Sequence, residues 1–123
     1  MNIYAENFKR MEKIFGPDWF LNQEHRKLKS SGYMDLSFEG IGENRFAMAH
    51  NYEHNGDIIP DPDMEIRVFP ELKMVEALTF QNSLCFTAVY PSPGMVRPKA
   101  KRDLNQFLGM WLKNLIAQGF KTE

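Results

Sequence analysis

Residues 98–118 read PKAKRDLNQFLGMWLKNLIAQ, and this stretch decides the fold. Leu104, Phe107, Leu108, Trp111, Leu112, Leu115 and Ile116 recur at the three-and-four spacing of one helical face. Pro98 suits a first helical turn and Gly119 a left-handed cap, so the pattern predicts a long amphipathic helix. A stripe carrying both a Trp and a Phe must be buried against a large apolar surface. The middle of the chain supplies one by alternating apolar and polar residues, as strands do.

Working outward, Tyr33 to Glu39 sets Met34, Leu36 and Phe38 against Asp35, Ser37 and Glu39, and Arg45 to Glu53 repeats the pattern with Phe46, Met48, His50 and Tyr52. The Gly40 to Asn44 turn joins them as a hairpin. The segment from His54 to Asp63 holds Asn55-Gly56 and two prolines, and reads as a connection to a third strand, Met64 to Phe69. Lys73 to Gln81 and Leu84 to Tyr90 supply two more strands. Near the N-terminus Tyr4, Phe8, Met11 and Phe15 mark a short helix stopped by Gly16-Pro17. Asp18 to Lys29 reads as a second helical piece capped by Asp18 or as an ordered loop. The predicted class is α+β: an antiparallel meander of about five strands, with N- and C-terminal helices on one face. Residues 1–123 are read as a single domain.

Composition narrows the function classes. The lone cysteine, Cys85, cannot pair within the chain, which points to a reducing compartment and a buried structural thiol. No apolar run approaches the roughly 18 residues of a membrane span, and the first residues lack signal-peptide form, so a cytoplasmic protein without a membrane partner is expected. Net charge is −1. Residues 35–76 nevertheless hold ten acids against three bases, and residues 97–121 six bases against one acid. The molecule is expected to be bipolar.

Three surfaces are candidates for function. The first is an acidic interaction loop of Glu53, Asp57, Asp61 and Asp63. The second is the start of the last helix, where Arg97, Lys99, Lys101 and Arg102 stand against the macrodipole and suit an anion or nucleic acid; Arg26, Lys27 and Lys29 would extend this patch if the fold brought them near. The third is apolar. The fourth and fifth strands have two partly apolar faces, which nominates Val75, Ala77, Cys85 and Val89 as an interface covered by a second copy or another protein.

Catalytic, cofactor and metal sites are not expected. His50 and His54, four apart along a strand, stand about 13 Å apart, too far to share a metal. No motif places a histidine beside Cys85, and Gly40-Ile41-Gly42 is a turn between strands rather than a phosphate loop. His50 is read as a hydrogen-bonded core residue and Trp111 as a core anchor. Asn105, beside the apolar stripe, is expected to bond a strand edge.

The runs Met64-Glu65-Ile66-Arg67-Val68-Phe69, Met74-Val75-Glu76-Ala77 and Leu104-Asn105-Gln106-Phe107-Leu108, with Trp111-Leu112 and Gly119, resemble an uncharacterised bacterial family of small domains of unknown function. Glu6-Asn7-Phe8 is similar to that family's first helix. Asn55-Gly56-Asp57, Asp61-Pro62-Asp63-Met64 and Gln118-Gly119-Phe120 resemble a related family carried by phages, plasmids and integrative elements. Phe69-Pro70-Glu71 stands where the first family tends to a Tyr-His-Asp turn. The resemblance implies fold kinship and a bacterial or mobile-element origin, and no activity. The expected function is a non-enzymatic protein-interaction domain with a protein partner, self-association as a homodimer included. An inhibitor of a host defence system, such as an anti-CRISPR protein, is the specific form considered. The alternative is a nucleic-acid-binding accessory protein using the basic helix start.

Overall fold

A computed structural model describes residues 2–122; the side chains of residues 52–54 and 58–60 lie outside the described set. Helix α1 (Ile3–Phe15) starts where the Asn2 side chain accepts from the Ala5 N–H at 2.9 Å and stops at Gly16, whose φ of 87° no β-carbon favours. After one 3-10 turn (Trp19–Leu21) the chain forms β1 (Arg26–Leu28), β2 (Asp35–Gly42), β3 (Arg45–His54), β4 (Asp57–Phe69), β5 (Met74–Ala77), β6 (Thr79–Gln81) and β7 (Phe86–Ala88). Helix α2 (Pro98–Ala117) closes the fold. The sheet is antiparallel in the order β1-β2-β3-β4-β6-β7, with β5 also on β4. The α+β class with two flanking helices matches the sequence reading, and the strand count is somewhat higher than expected.

Three differences have physical causes. Between Asp18 and Lys29 the helical piece is only the 3-10 turn Trp19–Leu21: Asp18 stands at its N-cap position in the left-handed conformation without a side-chain cap bond, and further on Arg26–Leu28 form a strand paired with Leu36–Phe38. Leu28 is buried, and the Arg26 guanidinium lies 5.0 Å from the centre of the Phe38 ring, so this strand is held by groups that do not read as apolar alternation. The 54–63 segment is not a connection but a hairpin, with Asn55 and Gly56 at φ 51° and 84°, the pairing that suits a tight two-residue turn. Its prolines are tolerated because β4 meets β6 only from Asp63 onward, which leaves residues 57–62 without a neighbour on that side. Finally, the expected strand Lys73 to Gln81 is broken at Leu78, whose N–H still donates to Glu65 O at 2.8 Å.

Both helices lie on one face of the sheet. Phe8, Met11, Ile14 and Phe15 of α1 and Leu104, Leu108, Trp111, Leu112 and Leu115 of α2 form one core with Leu36, Phe38, Phe46, Met48, Met64, Ile66 and Val68. The helices approach closely at Gly109, where a β-carbon would stand 3.0 Å from Asn7 Oδ1. A buried polar chain runs through this crossing. Arg10 Nη1 donates to Asn7 Oδ1 at 2.7 Å, Asn7 Nδ2 to Asn105 O at 3.1 Å, and Asn105 Oδ1 accepts from the Ala77 N–H at 2.8 Å. Asn105 therefore bonds a strand edge, as its sequence position suggests.

Removing the Asn105 amide leaves the Ala77 donor buried and unpaired, a cost of about 1–3 kcal/mol. Asn105→Ala is expected to lower the unfolding free energy by that amount, seen as a fall in the urea midpoint with an unchanged slope; an unchanged midpoint would show that the bond carries no stability.

Candidate functional site

The face of the sheet opposite the helices is built by strand alternation. Because Leu36, Phe38, Met48, Met64 and Ile66 point inward, Asp35, Ser37 and Glu39 of β2, Ala47, Ala49 and Asn51 of β3, and Asp63, Glu65 and Arg67 of β4 point outward. Register places Ser37, Ala49 and Asp63 in one row and Glu39, Ala47 and Glu65 in the next. The two alanines make a low floor flanked by carboxylates. Asn51 Nδ2 donates to Ser37 Oγ, and Arg45 pairs with Glu65 at 2.9 Å. Burial, with Glu65 and Glu39 adding their charge, pushes the Asp63 carboxyl above the usual carboxylate range.

Of the acidic loop read from the sequence, Asp57 is exposed at the hairpin turn, Asp61 is half-buried on β4, and only Asp63 joins this face; the side chain of Glu53 lies outside the described residues, as does that of His54. Glu39 and Glu65 were missed as partners of Asp63. Their signal is the shared parity of the two strands, readable only once the hairpin register is known.

The basic patch is divided. Arg97 and Arg102 are exposed and, among the described residues, make no ion pair. Lys99 pairs with Asp103 at 2.6 Å. Lys101 lies 3.3 Å from Glu76 and 3.3 Å from the Tyr90 hydroxyl, which itself donates to Glu76 at 2.6 Å. Its bond to Tyr90, with Glu76 beside it, holds the Lys101 ammonium above the usual lysine range, and burial followed by Glu76 pushes the Tyr90 hydroxyl up. Lys101 and Glu76, with Tyr4, Phe69, Leu72 and Met74, border a shallow cavity of about 210 Å³. Arg26, Lys27 and Lys29 do not extend the patch. They line a cleft with Lys121, past the far end of α2 and about 30 Å of helix from Arg97.

The apolar candidate is corrected. Val75, Ala77 and Val89 are fully buried in the helix-facing core, where Val75 and Ala77 pair with Val68 and Ile66, so they form no surface. Cys85 is exposed rather than buried, because β7 begins only at Phe86 and Cys85 falls in the preceding turn, where the Asn82 side chain accepts from its N–H at 2.8 Å.

His50 is a core residue. Its Nδ1 donates to Asp35 O at 3.4 Å, its ring packs against Trp111 and Phe120, and burial lowers its pKa. Trp111 anchors the core, with its indole N–H unpartnered among the described residues. Among the described residues no group of three or more His, Cys, Asp or Glu side chains could hold a metal ion. No described helix is long and apolar enough to cross a membrane.

The sign of the Asp63 shift gives a test. A carboxyl whose folded pKa is raised favours the protonated form in the fold, so its charge costs stability at neutral pH, and the cost fades as pH falls through the folded value toward the ordinary 3.8. Asp63→Asn is therefore expected to raise stability at pH 7 by up to about 1 kcal/mol and to have little effect near pH 4. A destabilised variant at pH 7 would reverse this reading of the face.

The chain matches, over residues 6–121, the family described as a domain of unknown function (DUF6908), and it belongs to that family. No curated protein and no solved structure matches it.

Proposed function

We propose that this member of a family of unknown function is a non-enzymatic protein-interaction domain that engages its partner through the uncovered face of its sheet. The observation that carries this reading is the placement of Glu39, Asp63 and Glu65 beside Ala47 and Ala49, with Asp35 one row further on, all on the side away from both helices; Glu65 is paired with Arg45 and Asp35 lies 3.9 Å from Lys29, which leaves Glu39 and Asp63 as the carboxylates open to a partner. A flat floor with a carboxylate border admits close approach of another protein and selects one of opposite charge. Keeping Asp63 charged beside Glu39 and Glu65 works against the stability of the fold, which is the pattern of residues retained for function.

The partner is a basic protein surface. Proteins that handle nucleic acid present such surfaces to phosphates, and an acidic face competes for them. In a bacterial or mobile-element setting, this is the chemistry by which an inhibitor of a host defence system, an anti-CRISPR protein among them, would work.

The test is capture from nuclease-treated bacterial lysate on the wild-type chain and on a Glu39→Gln, Asp63→Asn, Glu65→Gln variant. Proteins retained by the wild type, released by salt and absent from the variant are expected; identical captures on both would count against the face. Protection of phage or plasmid by the wild type and not by the variant is the expected outcome for the defence-inhibitor form.

A second reading, nucleic-acid binding at the start of α2, is favoured by the exposure of Arg97 and Arg102. It is weakened because Lys99 and Lys101 already face carboxylates. If it holds, Arg97→Ala with Arg102→Ala weakens duplex binding and reduces the slope of log affinity on log salt by about two; an unchanged slope removes the reading.

A further inference from the structure

The two edges of the sheet are chemically unlike. At one edge β1 presents exposed Lys27 and is followed by Lys29, whose side chain is 73% exposed; lysines on an edge repel a second strand. At the other edge, among the described residues, β7 pairs only with β6, and no Asp, Glu, Lys, Arg or His occurs from Ala77 to Val96. Large apolar side chains stand in solvent beside it: Leu84 is 90% and Phe86 60% exposed.

The ladder shows which backbone groups this edge offers. Val89 N–H donates to Leu78 O and Asn82 N–H to Cys85 O, so by antiparallel alternation Thr87 bonds inward to Phe80. The N–H and C=O groups of Phe86 and Ala88 point away from the sheet.

We infer that the β7 edge pairs with the β7 edge of a second copy of this chain, antiparallel about a two-fold axis at Thr87, with Phe86 of each copy opposite Ala88 of the other. Three features select a second copy. An uncharged edge meets itself without opposing like charges, and four backbone groups on each side find reciprocal partners. Pairing of like edges closes at the dimer, and the lysine-bearing β1 edges leave no route to a growing fibre. The acidic faces do not repel across the joint, because five strand spacings separate Asp63 from its counterpart, about 24 Å against a screening length of about 8 Å. This inference does not depend on the proposed partner of the acidic face.

Sedimentation equilibrium of the full chain over roughly 1–200 µM tests it. The wild type is expected to dimerise. Ala88→Pro, which removes only an outward-facing donor, and Phe86→Lys, which charges the edge, are each expected to raise the dissociation constant at least tenfold while far-UV circular dichroism stays unchanged. Lys27→Ala, at the opposite edge, leaves the dimer intact. A wild-type monomer throughout the range, or a dimer that survives Phe86→Lys, overturns the inference; should Ala88→Pro misfold, Phe86→Lys decides, because its side chain is on the surface.

Discussion

The hydrogen bond from the Ala77 N–H to Asn105 Oδ1 sits where the sheet runs out of strands. β5 bonds β4 on one side only, and on the other its inward edge would end in a buried donor with nothing to meet. Asn105 meets it, while its own Nδ2 donates to Lys101 O one turn back at 2.7 Å and its carbonyl receives Asn7 of the first helix. One residue thereby sets two positions: its side-chain amide that of α2 along the sheet, and its backbone carbonyl that of α1 along α2. Gly109 is the steric counterpart of this arrangement. A glycine inside a helix costs about 1 kcal/mol relative to alanine, and here its missing side chain admits Asn7 and Arg10. With both helices committed to one side, the acidic rows on the other side are left uncovered.

The electrostatics follow from the same division. The acids counted along residues 35–76 do not gather in a loop; strand parity distributes them, and Glu39, Asp63 and Glu65 converge because β2, β3 and β4 lie side by side in register. The bases of α2 are divided by packing. Lys101 is drawn to buried Glu76 between the rings of Tyr4 and Tyr90 and exposed Lys99 is paired with Asp103, which leaves Arg97 and Arg102 as the exposed cations of the helix start without an ion pair among the described residues. The bipolarity visible in composition thus survives on the acidic side and is partly neutralised on the basic one.

How much of this was legible depended on whether a residue's neighbours were local. The stripe of α2, the α1 face with Gly16 behind it, and the Leu36/Phe38 and Phe46/Met48 alternations are properties of single segments, and they read correctly. Asn105 was readable because a polar residue at the margin of an apolar stripe needs a partner. β1 was not, since Arg26 is half-covered by the rings of Phe15 and Phe38, which belong to other elements. Pro60 and Pro62 masked the β3–β4 hairpin, because their tolerance rests on the absence of a neighbouring strand, a fact of topology. Val75, Ala77 and Val89 were assigned to a surface because both parities of their strands are apolar, and only the pairing with β4 selects which parity meets the helices. The acidic rows required register, which no single strand contains.

The Asn7–Asn105 bond spans 98 positions of the chain. In synthesis from the N-terminus, α1 and the whole sheet are complete before residue 105 exists, so the inner faces that α2 will cover are exposed during that interval. Contacts of such long sequence separation slow folding, and apolar surface waiting for its cover is prone to aggregation. The clasp that unites the native molecule therefore forms only after the sheet is synthesised, followed by the bonds that tie Gln118 to Ser30 and Thr122 to Ile14.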